Sequence, residues 1–173
     1  MKAVMAAVIG LATVALAAQE VTKPEIAGVR NLSRLETTVA CAGATGPEAM
    51  PAIKKMGFVS VINLRLATEQ GADIEKGEAA AKEAGLRYFH VPYDGKPNPE
   101  AAAKFLDAIT TQGAEPAFIH CAGGNRAATM WLIKRVAVDK WDTERAVKEA
   151  AALGQSNLDA RKWAIEWAEA NKR

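Results

Sequence analysis

The chain is short of the residues from which metal centres and disulfide frameworks are built: it has two cysteines, Cys41 and Cys121, and two histidines, His90 and His120. Two cysteines are too few for a disulfide scaffold. They suffice for one bridge, or for a reactive thiol and a bystander. No metal-ligand spacing joins them to the histidines, so neither a metal nor another cofactor is expected. Basic runs are also missing. With 22 Lys and Arg against 20 Asp and Glu the charge is close to balanced, and no basic, aromatic-studded stripe points to nucleic acid. There is no internal repeat and no low-complexity linker.

What is present begins with a segment unlike the rest. Lys2 is followed by an uncharged apolar run from Ala3 to Ala18, and Ala15-Leu16-Ala17 closes it with a small-x-small signature. This is the pattern of a secretory signal peptide cleaved after Ala17 or Ala18. The run falls short of the ~20 residues that a spanning helix needs; an uncleaved membrane anchor is the alternative. No cysteine stands at the cleavage point, which argues against a lipoprotein. The expectation is therefore a signal peptide over 1–18 and a single domain over 19–173. Such a protein would be periplasmic or secreted, and free of the membrane once cleaved. The remaining chain is long enough to bury a substantial core without disulfides or metals.

That remainder alternates strand-like and helix-like segments. Val29–Leu35 and Thr37–Cys41 read as short strand-like pieces. Thr45, with Glu48 three residues on, predicts a capped helix running to about Met56 and ending at Gly57. Phe58–Leu64 is a β-branched run and reads as a buried strand. A helix over Asp73–Ala84 closes at Gly85, and Leu86–Val91 is the next strand. Asn98 and Pro99 start a further helix, which runs to about Thr111. Ala117–His120 is a short apolar strand. Helices then follow over about Ala127–Val138, Thr143–Leu153 and Leu158–Ala170. Trp163 and Trp167 share one face of the last helix, and core packing explains them. The alternation predicts an α/β fold with a largely parallel central sheet flanked by helices.

The informative segment is Phe118-Ile119-His120-Cys121-Ala122-Gly123-Gly124-Asn125-Arg126-Ala127-Ala128-Thr129. A buried strand runs into a tight loop with adjacent glycines, and the loop runs into a helix. Glycines adopt positive φ without strain, so successive N–H groups of Ala122, Gly123, Gly124 and Asn125 are free to face one concavity. The helix start adds free N–H groups and the positive end of a dipole. A tetrahedral oxyanion fits there, and a cysteine thiolate at its mouth is stabilised like any other anion. Arg126 supplies a permanently charged, two-pronged contact. An arginine at a helix start opposes the dipole and calls for an anion.

This strand-His-Cys-glycine loop-Arg-helix pattern resembles the signature of the cysteine-dependent protein tyrosine and dual-specificity phosphatase superfamily. Ser60-Val61-Ile62-Asn63-Leu64-Arg65, with Glu69 after it, is similar to a preceding strand of that family. Phe89-His90-Val91-Pro92-Tyr93-Asp94 is similar to the strand and loop that deliver its general acid. The nearest likeness is to bacterial phosphatase-like domains related to beta-lactamase-hydrolase-like proteins, where loops of the form HCxxGNR occur. The resemblance implies a protein tyrosine phosphatase-like fold. It also implies a phosphorylated substrate, small molecule or protein, with Cys121 as nucleophile, Arg126 as anion clamp and Asp94 as general acid. His120, Thr129 and Arg65 would support them; His120 and Arg65 read equally as structural, and Asn125 as shaping the loop. An aspartate before Gly95 and near Pro97 is also what a turn uses.

Two departures qualify the likeness. Four residues separate Cys121 from Arg126, where the family usually has five. Ala127 stands where a Ser or Thr normally helps the thiolate leave, and Thr129 is the first hydroxyl after Arg126. Other readings therefore stay open. A rhodanese-like sulfurtransferase, whose spacing is commonly four, would take a sulfur oxyanion and form a persulfide on Cys121. A non-catalytic phosphate-binding module would hold the anion without turnover. Cys41 is either inert or a resolving partner for Cys121.

Overall fold

The computed structural model describes residues 20–173. The segment expected to be a signal peptide lies outside the described residues. Six strands form one sheet: β1 (Val21–Thr22), β2 (Ser33–Leu35), β3 (Val39–Ala42), β4 (Ser60–Asn63), β5 (Arg87–His90) and β6 (Ala117–His120), in the spatial order β1-β2-β3-β6-β4-β5. The pairs β3–β6, β6–β4 and β4–β5 are parallel, and β1–β2–β3 is an antiparallel edge. The sheet is thus the largely parallel one that the alternation predicts. β6, last in sequence among the strands, sits at the centre between β3 and β4. The chain leaving its carboxyl end therefore emerges between two other strand ends, where open α/β sheets hold their ligands.

Side chains alternate along β6. Ile119 and Cys121 join the core beneath α3 (Pro99–Thr110), α4 (Asn125–Ala137), α5 (Thr143–Ala152) and α6 (Leu158–Ala170). Phe118 joins Ala40, Val61 and Leu86 beneath α1 (Met50–Lys55) and α2 (Ile74–Glu83). α4 is buried along nearly its whole length, as expected of the central helix of a layer. Its two charged residues near the end are paired: Arg135 with Glu149 at 2.7 Å and Asp139 at 3.0 Å, Lys134 with Glu115 at 2.9 Å. Trp163 and Trp167 pack against this core from α6.

Local chemistry explains most boundaries. Asp73, Asn98, Asp142 and Asn157 cap α2, α3, α5 and α6, each accepting an N–H three residues on, which satisfies one otherwise orphaned donor. The helix expected from a Thr45–Glu48 capping box differs. Thr45 instead donates its hydroxyl to Gly43 O at 3.1 Å, and the chain makes a 3-10 turn at Pro47–Ala49 before α1 begins at Met50. Pro51 lacks the N–H that a longer α-helix would have donated to the Pro47 carbonyl. The short edge strand β1 was not anticipated; two residues carry no readable period.

Candidate active site

The loop after β6 is held from three sides. Cys121 N donates to Ala42 O at 3.1 Å, and Ala44 N donates to Ala122 O at 3.0 Å. Asn31 Nδ2 donates to Gly123 O at 3.1 Å. Asn125 Oδ1 accepts from Ser156 N at 2.7 Å and Asn157 N at 3.0 Å, tying the loop to the α5–α6 connection. Gly124 has φ 102°, a left-handed conformation that only glycine adopts cheaply. In that conformation its N–H reaches the Cys121 sulfur, with N···S at 3.1 Å. Nothing lies within 4 Å of the place a Cβ at Gly123 would occupy, so the loop is open to solvent there.

Arg126 lies in the first turn of α4. Its Nη1 donates to Glu69 Oε1 at 2.6 Å and to Tyr93 O at 2.5 Å, and its Nη2 donates to Glu69 Oε2 at 2.9 Å. The anion that a helix-start arginine calls for is, in this structure, Glu69. The paired contact occupies one edge of the guanidinium fork. The other edge, Nε–H and the second Nη2–H, has no part in those bonds. Burial works against the guanidinium charge, but Glu69 and the Cys121 sulfur outweigh it and raise the Arg126 pKa. The same contact with Arg126 holds Glu69 down at about 2, helped by the Leu66 amide and Arg65.

Arg65 shapes the segment that carries Glu69. It donates Nε to Glu69 Oε2 at 3.3 Å, Nη1 to Gly71 O at 2.8 Å and Nη2 to Gln70 O at 2.5 Å. Asp94 lies on the exposed loop between Tyr93, whose carbonyl binds Arg126, and Gly95, whose Cα faces the Arg126 stem. Its carboxylate accepts Lys96 N at 2.9 Å, as a turn aspartate does. Tyr93 is 1 % exposed and its hydroxyl has no protein partner. Burial, and secondarily the Asp94 charge, push its pKa up to about 12, so it stays a proton donor.

Neither His120 nor Thr129 makes a hydrogen bond to the sulfur. The His120 ring packs near Phe118 and borders a cavity of about 20 Å³ with Asn63, Arg65 and Tyr88, on the sheet face opposite Cys121. Neither ring nitrogen has a protein partner. Burial first, then the charges of Arg65, His90 and Arg126, lower its pKa to about 3, so the ring is neutral. Thr129 Oγ1 donates to Asn125 O at 2.9 Å. Cys41 is fully buried on the same sheet face as Cys121, and both thiols are free. Among the described residues no cluster of three or more His, Cys, Asp or Glu is placed to hold a metal.

Residues 31–138 match the model of the phosphatase-like domain of beta-lactamase hydrolase-like proteins. The chain belongs to that family. Curated relatives include the beta-lactamase hydrolase-like proteins of Agrobacterium fabrum, 31% identical over 104 residues (58% of this chain, 24% of the relative), and of Xylella fastidiosa strain 9a5c, 35% identical over 121 residues (66% and 26%). The chain spans about a quarter of the length of these relatives. Among solved structures, P. aeruginosa TpbA superposes with a TM-score of 0.61 at 18% identity, covering 89% of this chain and 91% of that one. The core catalytic domain of the PP-IP phosphatase SIW14 from S. cerevisiae gives 0.62 at 14% identity, covering 83% and 88%. At these identities the likeness establishes the fold, which is that of the protein tyrosine phosphatase-like enzymes.

Sequence reasoning named the loop, Arg126 and Asp94. It did not find that Glu69 closes on Arg126, that Tyr93 binds it through a carbonyl, or that Asn31 clamps Gly123. Glu69 was visible only as part of a family-like stretch. Asn31 carried no signal, because its partner lies 92 residues away.

Proposed function

We propose that this domain is a cysteine-dependent phosphatase that hydrolyses phosphate monoesters through a cysteinyl-phosphate on Cys121. One observation carries the reading. A cysteine sulfur that accepts an N–H from the glycine loop stands beside, and interacts with, an arginine whose Nη1/Nη2 edge is locked by Glu69. In the proposed reaction the Cys121 thiolate attacks phosphorus in line with the leaving oxygen. The loop amides and the Arg126 edge turned away from Glu69 hold the equatorial oxygens. Asp94, protonated, gives its proton to the departing alcohol or phenol. Water then attacks the cysteinyl-phosphate with Asp94 as base, breaking the S–P bond, returning the Cys121 thiolate and the protonated Asp94 and releasing inorganic phosphate. Glu69 keeps the guanidinium aimed before substrate arrives, so little ordering remains to be done on binding.

A specific observation qualifies the second step. Ala127 has no hydroxyl, and the Thr129 hydroxyl is spent on the Asn125 carbonyl at 2.9 Å. Hydrolysis of the intermediate is therefore expected to be slower than its formation. At the limit this becomes the second reading, a module that binds phosphate with little turnover. TpbA has been solved in a cysteine-to-serine form with pTyr, which makes an aryl phosphate a sensible first probe. Mixing the chain with excess aryl phosphate is expected to give a burst of phenol followed by a slower steady rate. Sulfur transfer from thiosulfate to cyanide that outpaces phosphate hydrolysis would favour the sulfurtransferase instead. We further propose export on the strength of residues 1–18; amino-terminal sequencing of protein from the native host tests it, and retention of Met1 on cytosolic protein would overturn it.

A further inference from the structure

Asn31 stands where two stretches of pairing meet. Before it, Arg30 N donates to Ala44 O at 2.9 Å and Gly43 N donates to Arg30 O at 2.7 Å. After it, Ser33 begins β2 and pairs with Cys41. Between them the backbone kinks, and Asn31 takes φ 49°, a left-handed conformation that asparagine tolerates better than most residues with a Cβ. The kink lies against the catalytic loop. A Cβ at Gly43 would come to 2.9 Å from Arg30 O and 3.0 Å from Ala122 O, so three backbone segments converge there as closely as a glycine permits. From this anchored position Asn31 Nδ2 donates to Gly123 O at 3.1 Å.

That carbonyl and the N–H of Gly124 belong to one peptide unit. A trans peptide points its C=O and its N–H in opposite directions. The unit is therefore held at both ends, by Asn31 on the oxygen and by the Cys121 sulfur on the N–H at 3.1 Å. Neither residue flanking the unit has a Cβ, so sterics alone set little preference between this orientation and the flipped one. Among the described residues no other side chain donates to the carbonyl of Gly123 or Gly124. A hydrogen bond at the carbonyl also polarises the N–H at the other end.

We infer that Asn31 is a positioning residue: it fixes the Gly123–Gly124 peptide so that the Gly124 N–H faces the Cys121 sulfur, and it acts mainly on release of that sulfur from the cysteinyl-phosphate. The inference rests on the phosphatase reading and adds a residue to its second step. In that step water forms the new P–O bond, Asp94 takes its proton, and the S–P bond breaks with its electron pair on sulfur. The sulfur gains charge as it departs, and a donor already aimed at it lowers that barrier. In the first step the sulfur loses charge, so the same donor gives no comparable help. Ala127 brings no hydroxyl and Thr129 Oγ1 is bonded to Asn125 O. The Gly124 N–H, beside Arg126, is what the departing sulfur has.

The test is rapid mixing of the full chain with para-nitrophenyl phosphate. Asn31→Gly keeps the left-handed backbone and removes the side-chain amide; Asn31→Asp keeps the shape but sets an acceptor against the Gly123 carbonyl. Asn31→Gly is expected to lower the steady rate roughly ten-fold, the scale of one hydrogen bond, and to leave the initial burst rate nearly unchanged. Asn31→Asp is expected to lower the steady rate further, and decides the matter should Asn31→Gly not fold. A parental steady rate in the folded variants, or burst and steady rates that fall together, would overturn the inference. Amide hydrogen exchange read by NMR separates this from failure of the phosphatase reading. Exchange at Gly124 N–H is expected to quicken roughly ten-fold in Asn31→Gly, while Ile119 in β6 keeps its protection. If no phosphate ester is hydrolysed, the phosphatase reading falls; a quickened Gly124 exchange then upholds the hold of Asn31 on the peptide, and an unchanged one overturns it.

Discussion

The two cysteines occupy the same face of the same sheet, and both are buried, yet their surroundings are opposite. Cys41 lies within β3, where strand pairing uses its backbone and the sulfur meets only core. Burial, and then the nearby Cys121 and Glu149, push its thiol pKa well above the ordinary value. Cys121 lies one residue past the end of β6, where the ladder stops and the loop turns N–H groups inward. Its sulfur accepts Gly124 N–H and adjoins the Arg126 guanidinium. Burial alone makes a thiol inert. Burial beside fixed donors and a positive charge is what an anion site requires. The difference between the two residues is one of position relative to a strand end.

The largest effect that would break this contrast is at the nucleophile. Cys121→Ser is expected to abolish phosphate hydrolysis with the fold retained by circular dichroism, because an unactivated hydroxyl does not replace a thiolate. Cys41→Ala is expected to cost stability, on the order of 1 kcal/mol, and to leave kcat within a few-fold. Equal losses from the two would dissolve the distinction.

The next effect sharpens it by removing geometry and keeping charge. Arg126→Lys is expected to cut kcat/KM by roughly a hundred-fold or more, the scale of a lost transition-state donor, since lysine cannot bridge Glu69 and substrate with a planar fork. A native rate in that variant would reduce Arg126 to a structural partner of Glu69. Asp94→Asn comes next. It is expected to slow an alkyl phosphate by about a hundred-fold while sparing aryl phosphates whose leaving groups need no proton. Equal rates for both substrates in Asp94→Asn and the parent would leave Asp94 as a turn residue.

The smallest effect concerns stability on the face behind Cys121. The His120 pKa is about 3 in the folded chain against an ordinary 6.5, so the unfolded chain binds the extra proton. The associated stability is fully present above pH ~6.5 and is lost as pH falls toward 3. The carboxylate of Glu69, held at about 2 against 4.5, is lost only lower in the scale. Between about pH 6 and 5 the unfolding free energy should therefore fall by up to about 1.4 kcal/mol per unit, and His120→Asn should flatten that slope in denaturant titrations. An unaltered slope would show that the ring is not held neutral.

Most of the fold was legible because its signals are local. Asn98 before Pro99 marked a helix start that the structure keeps, the last helix covers the expected Leu158–Ala170, and the apolar run Ala117–His120 is β6 to the residue. The reading failed where local signals competed, as at Thr45, where Pro51 interrupts the longer helix. In the site, the loop was legible because Cys121 to Arg126 is contiguous. The partners that aim Arg126 were not, because Glu69 lies 57 residues away and the Tyr93 contact uses a carbonyl that every residue has. Which of several acidic residues meets a given arginine is settled by strand order, and β6 inserting between β3 and β4 is what brings these segments together.

The central claim is that Cys121, and not Cys41, carries the phosphoryl group during turnover. Quenching the chain in acid during steady-state hydrolysis of an aryl phosphate, followed by peptide mass spectrometry, reads this directly. The account predicts the added mass of one phosphoryl group on the peptide containing Cys121, an unmodified Cys41 peptide, and no adduct in Cys121→Ser. Hydrolysis at the full rate with no adduct on Cys121, or an adduct on any other residue, would contradict it.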